Sequence, residues 1–129
     1  MGTFHDPHRL RVLLVEDEWL IREMLADVLE EAGFAVSQAL SAPEALRLLR
    51  QDPTVDLVVT DVEMPGVLDG VGLARLLAVQ RPEIGVLVVS GRRPRTLPPG
   101  ARFLAKPFTP AEFLQTLHAL APLSTNMAS

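Results

Sequence analysis

The chain has 129 residues, 48% of them hydrophobic, and a formal net charge of −4. That length suits one domain around a single core, and the apolar fraction excludes a disordered chain. The negative balance argues against direct nucleic-acid binding, and the lack of cysteine excludes disulfides, thiolate metal sites and cysteine nucleophiles.

Met1 to Pro7 lacks the apolar centre of a signal peptide, and the longest wholly apolar strand-like run, Val86 to Val89, is far too short to span a bilayer. A cytoplasmic protein without membrane contact is expected. Residues 1–9 read as a flexible tail. His5 and His8 within it are too few to make a metal site. Arg11 to Val15 reads as a buried strand ending in Glu16-Asp17-Glu18. A helix follows over about Trp19 to Ala32, with Ile21, Met24, Leu25, Val28, Leu29 and Ala32 on one face and Gly33 as its stop. Phe34 to Gln38 makes a second strand.

Ser41-Ala42-Pro43-Glu44 is a capping box with proline in the first helical turn, opening a helix to about Arg50. After Asp52-Pro53 comes a third strand built on Val55 and Leu57 to Val59; Leu57-Val58-Val59 has no polar alternation, so this strand is covered on both faces. It surfaces at Asp61, before a Met64-Pro65-Gly66 turn. Gly70 and Gly72 open a third helix, about Val71 to Gln80. Gly85 to Val89 is a fourth strand ending in Ser90-Gly91. Residues 92–100 contain Pro94, Pro98, Pro99 and Gly100, leaving room for one helical turn at most. Arg102 to Ala105 is a short fifth strand ending in Lys106-Pro107. Thr109-Pro110-Ala111-Glu112 is a second capping box, and the last helix turns Phe113, Leu114, Leu117 and Leu120 inward. Residues 122–129 read as a second flexible tail around a domain at 10–121. Strands alternating with helices predict an α/β fold, a doubly wound five-stranded parallel sheet with helices on both faces.

In such a sheet every strand ends at the same edge, where ligands gather. That edge collects Glu16, Asp17, Asp61, Ser90 and Lys106, the chain's only lysine among twelve basic residues. At ~4 Å and an effective dielectric of ~20, each pair of ionised carboxylates repels by about 4 kcal/mol. Either one carboxyl holds its proton or a cation sits among them. Oxygen ligands favour a hard divalent ion, Mg2+ or Mn2+. A carboxylate nucleophile, an ammonium, a hydroxyl and such an ion are the parts of phosphoryl transfer to an aspartate.

The motifs V-L-L-V-E-D-E, V-V-T-D-V-E-M-P-G-V-L-D-G, V-V-S-G and F-L-A-K-P-F, one at each of four strand ends, strongly resemble the receiver domain of two-component response regulators, of the CheY-like kind. The resemblance covers about residues 10 to 121. It implies that Asp61 is the phosphoacceptor, that Glu16 and Asp17 are the acidic metal-binding pair, and that the backbone carbonyl of Glu63 is a further ligand. It also implies Ser90 as the switch hydroxyl, Lys106 as the phosphate-contacting lysine, a cis peptide before Pro107 and Phe103 as the switch aromatic. The phosphoryl donor is then a sensor histidine kinase or a histidine phosphotransfer protein, and the output is altered affinity for a downstream protein. The expected protein is a stand-alone receiver whose only catalysis is its own phosphorylation and dephosphorylation.

Two departures from the family pattern stand out. The loop after Met64-Pro65 is one residue longer than the common form, and the interval from Ser90 to Lys106 is too short and proline-rich for the usual fourth helix. Glu63 and Arg92, each two residues beyond a site residue, are candidates to pair across the mouth of the site. A phosphate-ester hydrolase is the competing reading, but the chain has no room for a substrate-selecting cap. A flavin module on the same sheet is disfavoured, because Glu16-Asp17-Glu18 would repel a phosphate. A receiver that binds partners without being phosphorylated is the remaining alternative, and the full set of site residues argues against it.

Overall fold

The computed structural model describes residues 9–121. Chain order is β1 (Arg11–Val15), α1 (Trp19–Glu31), β2 (Ala35–Ala39), α2 (Ala42–Gln51), β3 (Leu57–Asp61), α3 (Gly70–Gln80), β4 (Gly85–Ser90), β5 (Ala101–Ala105) and α4 (Pro110–Leu120). The strands form one sheet in the order β2-β1-β3-β4-β5, and every pairing is parallel. The two tails read from the sequence lie outside the described residues apart from Arg9, whose guanidinium donates to the carbonyls of Gly33 and Phe34.

Alternation along the strands explains the missing polar pattern. Leu13, Val15, Val58, Val86 and Val88 point to one face and pack with Ala45 and Leu49 of α2 and Leu73 and Leu77 of α3. Their neighbours Val12, Leu14, Val59, Leu87 and Val89 point to the other, against Ala26 and Leu29 of α1 and Phe113 and Leu117 of α4. Both faces are therefore dry, as central parallel strands require. All five residues of β3, including Asp61, are buried.

Local sequence sets most helix ends. Thr109 accepts from the Glu112 N–H and the Glu112 carboxylate accepts from the Thr109 N–H, a complete capping box. At α2 only half of the expected box forms. Ser41 Oγ accepts from the Glu44 N–H, but the Glu44 carboxylate turns to the Leu40 N–H at 2.6 Å. At the end of α1, Gly33 has φ 97°, its N–H bonds the Glu30 carbonyl, and the Phe34 N–H bonds the Leu29 carbonyl. That is a Schellman stop, which glycine permits without a Cβ penalty.

The buried face of α1 differs from the sequence expectation. It runs through Arg22, Ala26 and Leu29, while Met24 is 60% exposed and Ala32 is exposed. The apolar stripe is wide, and tertiary packing turned it so that Ala26 and Leu29 enter the core while Ile21, Leu25 and Val28 are only partly buried. The connection from β4 to β5 contains no helix, and Leu97 folds back onto the core in place of one. No helix among the described residues is long and apolar enough to cross a membrane.

Candidate functional site: a carboxylate cluster around one lysine

Asp61 is the last residue of β3, paired in register with Val89, one residue before Ser90 ends β4. A central strand presents its final side chain at the carboxyl edge, and Asp61 stands there with 9% of its side chain exposed. Its Oδ1 accepts from the Glu63 N–H at 3.0 Å, and its Oδ2 accepts from Lys106 Nζ at 2.7 Å. Lys106 follows β5, held in place by its own N–H on the Ser90 carbonyl at 2.9 Å, and the Lys106–Pro107 peptide is cis. Although partial burial works against its charge, the hydrogen bond and charge of Asp61, with Glu16 behind, hold the ammonium pKa above its usual value.

Glu16 leaves β1 next to β2, its N–H bonded to the Ala39 carbonyl. Its side chain is only 1% exposed. Oε2 accepts from the Glu18 N–H at 3.1 Å, whereas Oε1 is buried without a hydrogen-bond partner, 4.0 Å from Lys106 Nζ. Burial above all, and then the charge of Asp61, pushes the Glu16 carboxyl up to about 7, despite the opposing pull of the Glu18 N–H and Lys106. The two buried carboxylates thus share one cation: Lys106 bonds Asp61 at 2.7 Å and stays 4.0 Å from Glu16 Oε1, which keeps no hydrogen-bond donor of its own. An additional cation would satisfy that oxygen, so the donor set fits a hard divalent ion. The described acids do not converge as a ready-made group of three around a point. Asp17 is exposed, at the rim.

Ser90 is buried, and its Oγ accepts from the Arg92 N–H at 3.1 Å. Glu63 and Arg92 are both exposed, and no ion pair joins them among the described residues. Phe103 pairs with Val88 in the sheet, two residues before the Ser90 level, and is half-buried with the Arg93 guanidinium 5.5 Å from its ring centre.

The supporting roles of three residues escaped the sequence reading, which took Gly70 only as a tight entry to its helix. Arg22 is 8% exposed; its Nη1 donates to the Glu16 carbonyl at 2.9 Å and its Nε to Gln38 Oε1 at 3.1 Å. It ties the exit of β1, where the acids leave the sheet, to β2. An arginine at i, i+4 and i+7 with Ala26 and Leu29 was the available signal. Thr60 is fully buried and its hydroxyl donates to the Asp61 carbonyl at 2.9 Å. Gly70 lies so close that any Cβ would collide with that same carbonyl oxygen.

A doubly wound domain that gathers two buried carboxylates, a hydroxyl and one lysine at its carboxyl edge belongs to the class of phosphoryl-handling α/β modules. Residues 12–118 match the response regulator receiver domain, and the chain belongs to that family. It is 36% identical over 130 residues to the alkaline phosphatase synthesis transcriptional regulatory protein SphR of Synechococcus elongatus, covering 90% of this chain and 50% of that protein. The chain therefore spans about half the length of that relative. A response regulator receiver protein from Sinorhizobium medicae superposes with a TM-score of 0.81 at 28% identity, covering 87% of this chain and 94% of that one. The receiver domain of the hybrid histidine kinase CckA gives 0.74 at 31% identity, over 85% and 97%. Receiver domains of this family work with sensor histidine kinases in two-component signalling and generally use Mg2+.

Proposed function

We propose that Asp61 takes a phosphoryl group from a phosphohistidine on a sensor kinase or phosphotransfer protein. The observation that carries this reading is the 2.7 Å bond from the only lysine to a carboxylate at the end of a fully buried strand. A carboxylate oxygen attacks phosphorus, an O–P bond forms, and the P–N bond to the donor histidine breaks. Lys106 already neutralises one carboxylate oxygen and is placed to follow the charge onto the phosphoryl group. Ser90 now uses its oxygen as an acceptor for the Arg92 N–H; its own hydroxyl hydrogen is free to reach a phosphoryl oxygen, drawing the segment after β4 with it. Glu16, Asp17, Asp61 and the Glu63 carbonyl would hold Mg2+ or Mn2+. The ion supplies positive charge for the phosphoryl oxygens.

The donor has a natural approach. A largely apolar cleft of about 420 Å3 runs between α1 and the start of α4, lined by Met24, Leu25, Phe108 and Pro110 and reaching Lys106. Trp19 and Leu20 stand exposed on the same helix at 66% and 61%. A helix carrying the phosphohistidine can bury its apolar side there. The working unit is residues 10–121, in the cytoplasm, with phosphorylation read out by an altered surface around Ser90 and Phe103.

Mass spectrometry after incubation with acetyl phosphate and Mg2+ tests the assignment. One phosphoryl adduct on the wild type, absent in Asp61→Asn, is expected; an unmodified wild type, or an adduct that survives Asp61→Asn, contradicts it.

A further inference from the structure

No Asp or Glu occurs between Glu83 and Glu112, yet Arg92, Arg93, Arg95, Arg102 and Lys106 all fall in that interval of a chain whose net charge is −4. Lys106 is engaged with Asp61. The four arginines are exposed, and none of them forms an ion pair among the described residues. Such a concentration of unpaired charge of one sign attracts a partner of the other.

Arg95, in the β4–β5 connection, borders bare apolar surface. With no helix in the β4–β5 connection, one flank of α3 lies open. Val71, Arg75 and Val79 recur along it at four-residue spacing, Val67 precedes it in the β3–α3 loop, and Val67 and Val79 are 107% and 82% exposed. Residues 94–96 lie opposite, joined to that flank where Arg75 Nη2 donates to Thr96 Oγ1 at 2.9 Å. An open cleft of about 440 Å3 runs between them, with Val67, Val71, Arg75, Pro94 and Arg95 on its walls. The acid that also lines it, Asp69, is taken up in capping α3 through the Gly72 N–H.

We propose that this cleft, between the β3–α3 loop and the β4–β5 segment, docks a peptide segment of a partner protein that carries acidic side chains beside an aliphatic anchor. The valines offer an apolar contact, and the guanidiniums of Arg75 and Arg95 offer forked donors for carboxylates. Charge complementarity selects the acidic partner, and steering by Arg92 and Arg93 raises its encounter rate. A nucleic-acid backbone would match the arginines but leave the valines without contact, against a chain that is acidic as a whole. The cleft exists in the unmodified chain, so the proposal stands apart from the chemistry of Asp61.

Selection of a random-sequence peptide library on the immobilised full chain tests it, followed by fluorescence anisotropy with the enriched peptides. The expected winners combine Asp or Glu with Leu, Ile or Val. Their binding should weaken about tenfold or more in Arg75→Glu/Arg95→Glu, the size expected when interfacial charge pairs are reversed. It should also weaken in Val67→Ser, and hold in Arg50→Glu, which changes a charge on α2 instead. These positions are exposed, and an unchanged thermal midpoint shows that each variant folds. Winners without acidic bias overturn the proposal, as does equal weakening by Arg50→Glu, which would indicate unspecific charge attraction. Tighter binding of a labelled DNA duplex through the same arginines overturns it too, and so does displacement of the peptides by self-association of the chain.

Discussion

Gly70 is small because of Asp61. It opens α3, where alanine would ordinarily favour the helix by about 1 kcal/mol. Here an added methyl collides with the Asp61 backbone carbonyl and approaches Thr60 Oγ1. Gly70→Ala should therefore destabilise the protein by about 1–3 kcal/mol, the range for overpacking, and thermal or urea unfolding measures it. Gly72→Ala provides the contrast, since its methyl meets chiefly the flexible Leu68 side chain; it should unfold at a clearly higher temperature than Gly70→Ala. Glu16 supplies a pH signature at the same scale. Its folded pKa of about 7 exceeds the ordinary 4.5, so the proton is bound more tightly in the folded state. The associated stability is full below the ordinary value and is lost as pH rises through the folded one. In chelator, the thermal midpoint should fall from about pH 5 to about pH 8 for the wild type, and Glu16→Gln should flatten that slope. A wild-type midpoint that rises over the same interval would contradict it. The acid at Glu16 was legible in the sequence, because it ends a strand. Its buried, half-satisfied state was not, because that depends on Lys106 and Asp61 arriving from residues far along the chain.

At the scale of elements, α1 shows how a helix serves the site through the backbone of one of the site's residues. Its buried Arg22 holds the Glu16 carbonyl and Gln38 together, so the acids leave β1 in a set direction. Arg22→Met keeps much of the side-chain volume but leaves a buried carbonyl without its donor. It should cost about 1–3 kcal/mol, and it should weaken Mg2+ binding as followed by Trp19 fluorescence. Unchanged Mg2+ affinity would reduce Arg22 to a purely structural role. The helix itself was readable from apolar periodicity, but which side of a broad apolar stripe meets the sheet was not. Hydropathy ranks Met24 above Ala26, yet Ala26 is buried and Met24 is 60% exposed. Capping chemistry, by contrast, transferred well from sequence at Thr109 and only in part at Ser41. Short-range bonds decide the first, whereas at Ser41 the Glu44 carboxylate finds the Leu40 N–H nearer at hand.

Over the whole molecule, two apolar layers sandwich β1, β3 and β4, while β2 and β5 form the edges. Ser37 and Gln38 on β2 and Arg102 and Ala105 on β5 are exposed. Amide hydrogen exchange should be slowest in β3 and β4 and faster by about tenfold or more in β5 and residues 91–100, since opening free energies follow burial. Equal protection across the sheet would show that the connection without a helix has not loosened this edge. The fold class, the strand-helix order and the residues that gather at the carboxyl edge were determined by the sequence alone. Apolar runs, caps and prolines act over a few residues, and parallel topology brings strand ends together without further instruction. Only the tertiary structure decided which carboxylate oxygen is left without a partner, which face of α1 is buried, and that Arg75 and Val67 share a cleft with Arg95. Those outcomes depend on distances between segments remote in the chain, and packing sets such distances.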